Sequence, residues 1–170
     1  MFLTGSAGTG KTLVLSEALK IKLSKLKHRG TDVKIFVTTF ENDYTELLDK
    51  YRSHYLVNIE NINFTNIKQL CSDLNIEFEY DAPQSTMNNV VMSLSDNYTD
   101  SLVILLCDEV ECWDSADWSE MKTCHNVVWL MAINPRSGGG DRNLNIVYPT
   151  SVNVLSQQLQ VKYRNCVQIR

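Results

Sequence analysis

No stretch of this chain is long and apolar enough to suggest a bilayer span. Runs such as Leu102 to Cys107 fall far below the roughly 18 residues a membrane helix needs. A glycine-rich loop begins at Gly5, too early for a signal peptide to precede it. The five cysteines (Cys71, Cys107, Cys112, Cys124 and Cys166) contain no C-x-x-C pair, and their odd number suits a reducing compartment better than a disulfide framework. His28, His54 and His125 lack ligand spacing to one another, and Cys124-His125 alone is too little for a metal site, so no zinc is implied. A net charge of −4 gives no broad electrostatic grip on nucleic acid, although a local groove with a few basic and polar contacts stays open. Repeats and low-complexity tracts are absent. The linker-like stretches Asp81 to Ser85, Asp96 to Asp100 and Gly138 to Gly140 do not read as domain boundaries. What remains is one intracellular globular domain over residues 1–170, 44% apolar and able to bury a proper core.

Against these absences stands one complete motif. Gly5-Ser6-Ala7-Gly8-Thr9-Gly10-Lys11-Thr12 is a G-x-x-x-x-G-K-[ST] phosphate-binding loop. Glycines let successive backbone N–H groups turn inward around phosphate oxygens, at a helix N-terminus whose dipole also favours anions. The expected ligands are a nucleoside triphosphate, ATP, and Mg²⁺. Lys11 is placed to reach the β- and γ-phosphates and the Thr12 hydroxyl to ligate the metal. Leu13, Leu15, Ala18, Leu19, Leu23 and Leu26 recur at helical spacing behind the loop, with Gly30 as the C-terminal cap; Lys20, Lys22, Lys25 and Lys27 read as a solvated face.

Strand-like runs alternate with helical patterns along the rest of the chain, the signature of a mostly parallel central sheet in an α/β three-layer domain. Val33 to Phe40 reads as a strand ending in Thr38-Thr39. Tyr44, Leu47, Leu48, Tyr51 and Tyr55 mark a helix capped by Asn42 or Asp43. Ile59 to Phe64 is another strand, Thr65 or Asn66 caps a helix with Ile67, Leu70, Cys71 and Leu74 inward, and Met87, Val90, Val91 and Leu94 form a further stripe. These stripes read as core.

The second chemical constellation is the apolar run Leu102 to Cys107 followed by Asp108-Glu109, a Walker B pattern. A central parallel strand is apolar on both faces and its carboxyl end opens onto the crevice that holds the loop. There Asp108 is expected to hold Mg²⁺ through water and Glu109 to polarise the water that attacks the γ-phosphate. Glu111 reads as exposed. A third strand, Val127 to Ile133, follows a short Trp118/Met121 helix and ends at Asn134, then Pro135-Arg136. An amide at Asn134 can orient the attacking water or sense the γ-phosphate, or simply terminate the strand, while Arg136 can touch phosphate or a bound strand. Trp113 and Trp118 are either packed or part of a contact surface.

This arrangement resembles the first motor domain of superfamily 1 helicases, over nearly the whole chain. The loop is similar to their motif I. Ile35 to Asn42 resembles motif Ia, which implies that Thr38 and Thr39 lie on the side that contacts single-stranded DNA or RNA; the same threonines are also ordinary strand-ending residues. Asp108-Glu109-Val110-Glu111 corresponds to motif II. Leu159-Gln-Val-Lys-Tyr-Arg-Asn165 is similar to motif IV, which implies a γ-phosphate contact by Arg164. The resemblance thus implies a RecA-like P-loop NTPase fold and Mg²⁺-dependent ATP hydrolysis.

Two features depart from the family. Ala132 to Ser137 lacks the acid and glutamine of motif III, and the base-reading glutamine motif before the loop is absent. A second RecA-like domain is expected in a longer chain, without which hydrolysis is weak and unwinding absent. Two further readings fit the same motifs: a nucleotide-dependent switch of the AAA+ or STAND kind with Asn134 as sensor, and a module that holds nucleotide without turning it over.

Overall fold

The computed structural model describes residues 1–5, 8–26, 32–40, 45–113, 115–136, 145–147, 149 and 156–159; the side chains of residues 45, 111–113, 115, 116, 135, 136, 145, 146 and 156 lie outside this description. The chain runs β1 (Phe2–Thr4), α1 (Lys11–Leu26), β2 (Val33–Thr39), α2 (Thr45–Lys50), a π-helical turn (Tyr51–Tyr55), β3 (Ile62–Asn66), α3 (Ile67–Asp73), α4 (Pro83–Asn97), β4 (Leu102–Trp113), β5 (Ser115–Asp117), β6 (Val127–Arg136), β7 (Asn145–Val147) and β8 (Ser156–Gln158). Six strands form one sheet in the order β3-β2-β4-β6-β1-β8, and every pairing in it is parallel. The fold is therefore α/β, a three-layer RecA-like arrangement.

Side-chain alternation along the strands builds the layers. Val103, Leu105 and Cys107 of β4, with Trp129, Met131 and Ile133 of β6, face α3 and α4 and pack on Ile67, Leu70, Met87, Val90, Val91 and Leu94. Ile104 and Leu106, with Leu130 and Ala132, face the other way onto Leu15 and Leu19 of α1 and onto Tyr51 and Leu56. Both faces of the central strands are thus apolar, as a covered parallel sheet requires. None of the helices formed by the described residues is long and apolar enough to cross a membrane.

Several elements differ from the sequence expectation for identifiable reasons. Leu13 is 53% exposed, because it lies two residues, about 200°, around the helix from the inward Leu15. Asn61 adopts φ 61°, so β3 begins after it at Ile62 and not at Ile59, whose N–H instead closes a turn onto the Leu56 carbonyl (3.1 Å). Asn66 caps α3 as expected, accepting the Gln69 N–H at 2.8 Å. The linker expected over Asp81 to Ser85 is in part the first turn of α4, which starts at Pro83, where a fixed φ and a missing N–H cost nothing; the Asp96 to Asp100 linker likewise gives its first two residues to that helix. Trp118 and Met121 form a single turn (Met121 N–H to Trp118 O, 3.1 Å) and no helix, since the Trp118 N–H donates to Val147 O at 2.9 Å, alongside the small parallel ribbon β5-β7. Trp118 is fully buried, against Phe2. The expected caps Asn42, Asp43 and Gly30 lie outside the described residues.

Candidate functional site

Because the strands are parallel, their carboxyl ends share one edge of the sheet, and the loop after β1 opens there. Gly8 (φ 83°) and Gly10 (φ 86°) occupy the left-handed region, which a side chain would disfavour. Gly5 is demanded by space as well: a Cβ there would lie 2.7 Å from Thr9 Oγ1 and 2.8 Å from the Leu159 carbonyl oxygen. Leu159 is held in place by its own N–H, which donates to Thr4 O at 2.8 Å, so the strand β8 backs the loop. Ser6 and Ala7 lie outside the described residues.

Helix α1 begins at Lys11 with no acidic residue in its first turn, leaving the partial positive charge of its N-terminus uncountered by that turn. Lys11 is 5% exposed, and its ammonium folds back across the loop and donates to Gly5 O at 2.7 Å. One residue on, the Thr12 hydroxyl donates to Asp108 Oδ2 at 2.7 Å, joining the loop to β4 across 96 residues of sequence. Buried Ser16 secures that turn by donating to Thr12 O at 2.7 Å.

Strand β4 does not end at the two acids, as the sequence suggested, but runs through them to Trp113. Between the pairs Cys107–Met131 and Val110–Ile133, β4 advances by one residue more than β6, a β-bulge. Glu109 carries it at φ 54°, a conformation that costs a non-glycine residue about 1–2 kcal/mol. The bulge returns Val110 to the α3/α4 core, while Asp108 stays on the α1 side, wholly buried. Asp108 Oδ1 accepts the Glu109 N–H at 2.9 Å, and the Asn134 amide of β6 donates to Glu109 Oε2 at 3.0 Å.

A residue the sequence reading assigned only to the core also belongs here. Tyr51 donates its hydroxyl to the same Asp108 Oδ2 at 2.8 Å. It is fully buried, and desolvation followed by the Asp108 charge pushes its phenol well above the usual tyrosine range. The available signal was its chemistry: a tyrosine at an inward helix position carries a polar tip that needs a partner.

The structure thus brings together Gly5, Gly8, Thr9, Gly10, Lys11, Thr12, Asp108, Glu109 and Asn134. Arg164 lies outside the described residues, as does the side chain of Arg136, whose backbone ends β6. Thr38 and Thr39 are fully buried at the end of β2, with Thr39 in register with Asp108; neither side chain reaches the surface, so the strand-contact role implied for them finds no exposed hydroxyl here.

The donor set suits Mg²⁺. A hydroxyl whose proton is committed to Asp108 keeps its oxygen lone pairs for a cation, and oxygen ligands are those this hard ion takes. Three donors already occupy Asp108, of about four acceptor positions on a carboxylate, which favours contact through water. Among the described residues there is no group of three or more His, Cys, Asp and Glu side chains that could hold a metal ion. Compared with protein-family models, curated proteins and solved structures, the chain matches none.

Proposed function

We propose that this domain binds a nucleoside triphosphate, ATP, together with Mg²⁺ and hydrolyses it. The observation that carries this reading is the Thr12–Asp108 hydrogen bond, which unites a phosphate-binding loop and an acidic strand end distant in sequence. In the reaction, backbone N–H groups of the loop and the Lys11 ammonium bind the phosphates, and Thr12 with Asp108 would hold the ion. Bound Mg²⁺ would neutralise charge on the β- and γ-phosphate oxygens. Glu109 accepts a proton from the water attacking the γ-phosphorus as the bond to the β-bridging oxygen breaks, and Asn134 holds its carboxylate in place. The finer reading, a superfamily 1 motor acting on single-stranded nucleic acid, is supported by the motif resemblance alone.

One observation favours the nucleotide switch as a second reading: Asn134 on the neighbouring strand holds the Glu109 carboxylate, a contact that a γ-phosphate or its attacking water would compete for. Mg²⁺-ATP turnover by the wild type and by Glu109→Gln, with and without single-stranded DNA or RNA, separates these readings. Hydrolysis should drop about 10²- to 10⁴-fold in the variant. Stimulation by a single strand supports the motor, whereas tight binding with no strand response supports the switch. Turnover unaffected by the substitution removes Glu109 from the chemistry.

A further inference from the structure

Tyr51 belongs to the polar cluster, yet the proposed chemistry does not use it. We infer that Tyr51 is a positioning residue for the metal site, fixing the Asp108 carboxylate so that it can serve an ion held by Thr12. The inference rests on the nucleotide reading above and adds to it a residue that no motif contains.

Three observations carry it. The first is convergence: Tyr51 and Thr12, from different helical segments, donate to the same oxygen, Asp108 Oδ2, at 2.8 and 2.7 Å, while Oδ1 takes the Glu109 N–H at 2.9 Å. A carboxylate gripped at both oxygens by donors from separate elements has one orientation available, and groups behind a metal's ligands set those ligands' orientation and basicity. The second is local backbone. Helix α2 does not continue as an α-helix; at Tyr51 it widens into a π turn closed by the Leu56 N–H on Tyr51 O at 2.8 Å. Such turns are rare and are frequent at functional sites. Here the turn opens at the residue whose side chain reaches Asp108. The third is that packing alone does not call for a hydroxyl. Tyr51 belongs to the apolar cluster that holds Leu15, Leu19, Leu56 and Leu106, and its ring packs on that of Tyr55 at 5.7 Å between centroids, contacts that a phenylalanine ring would also make.

The test is equilibrium binding of a fluorescent ATP analogue, in EDTA and across an Mg²⁺ titration, for wild type, Tyr51→Phe and the double variant with Asp108→Asn. For Tyr51→Phe we expect unchanged affinity in EDTA and an Mg²⁺ half-saturation raised about tenfold, the low end of what losing such a supporting group costs. In the Asp108→Asn background the same substitution should produce no further shift, because Tyr51 acts through that carboxylate. An unchanged or lowered Mg²⁺ requirement in a variant that melts like the wild type overturns the inference and leaves the nucleotide reading standing. A wild-type chain that binds no nucleotide overturns both. Should Tyr51→Phe fail to fold, the wild type labelled with ¹³Cζ-tyrosine carries the test: the Tyr51 resonance should move when Mg²⁺ is added to the ATP-loaded chain, and a stationary signal overturns the inference.

Discussion

The two faces of the sheet both bury polar side chains, and they use them differently. On the α3/α4 face, Asn126 sits between α4 and the start of β6. Its amide donates to the Ser95 and Tyr98 carbonyls at 3.1 and 3.0 Å, and its oxygen accepts from Ser95 Oγ at 2.6 Å. That network closes on itself and fastens a helix to a strand. On the α1 face, donors from two helical segments converge on one carboxylate, beside a lysine folded over its own loop and a glutamate at positive φ. Left-handed backbone and clustered charge are poor choices for stability alone and accumulate where a ligand compensates for them. Burial of polar groups therefore does not mark a site by itself. Convergence at the carboxyl edge of a parallel sheet, together with backbone outliers, does.

Three substitutions or measurements sharpen this contrast beyond those at Glu109 and Tyr51. The largest effect is expected for Gly5→Ala, whose methyl group would meet backbone oxygen of Leu159 at 2.8 Å and cannot be relieved by a side-chain rotation. Nucleotide affinity, measured by calorimetry, should fall on the order of tenfold or more, since the loop must shift to admit the methyl. A mere loss of thermal stability with affinity intact would show that the loop tolerates displacement. Asn126→Ala should do the reverse: chemical denaturation should reveal a loss of about 1–3 kcal/mol from carbonyls and a hydroxyl left without a partner, while the folded fraction binds nucleotide as before. Weakened binding in that variant would mean that the two faces are coupled. The smallest effect on nucleotide binding is expected from modifying a thiol on the α3/α4 side, where the readout is reactivity. Burial pushes the Cys71 thiol up to about 11, so its thiolate is scarce until the pH climbs through that value. At pH 8 its alkylation in the native chain should run on the order of a hundredfold slower than that of an ordinary exposed cysteine, and partly exposed Cys124 should react before Cys71. Equal rates at both thiols would imply that α3 opens readily from the sheet.

How much of this was legible beforehand follows from which interactions are local. The loop's shape was legible because its glycines stand where the backbone turns left-handed, at Gly8 and Gly10. The buried strands announce themselves because a doubly covered strand has to be apolar throughout. The inward residues Met87, Val90, Val91 and Leu94 were legible from helical periodicity and are all fully buried. The bulge at Asp108–Glu109 was not, because it depends on the register with β6, which no local pattern encodes. Nor was the role of Tyr51, whose place in an apolar stripe matches a core residue and whose partner lies 57 residues further along the chain. Trp118 looked helical until β7, an element with no strong signature of its own, took its N–H.

The backing of Gly5 by Leu159 has a consequence for the order in which this protein acquires its chemistry. Strand β1 is made first, yet both of its neighbours in the sheet, β6 and β8, are made late. As the chain emerges from a ribosome, the segment bearing the loop has no sheet to join until most of the domain has been synthesised, and non-local pairings of this kind form slowly. Until β6 and β8 are in place the glycine-rich loop has no sheet edge to settle on, so the contacts that gather Lys11, Thr12 and Asp108 would form together in one late step.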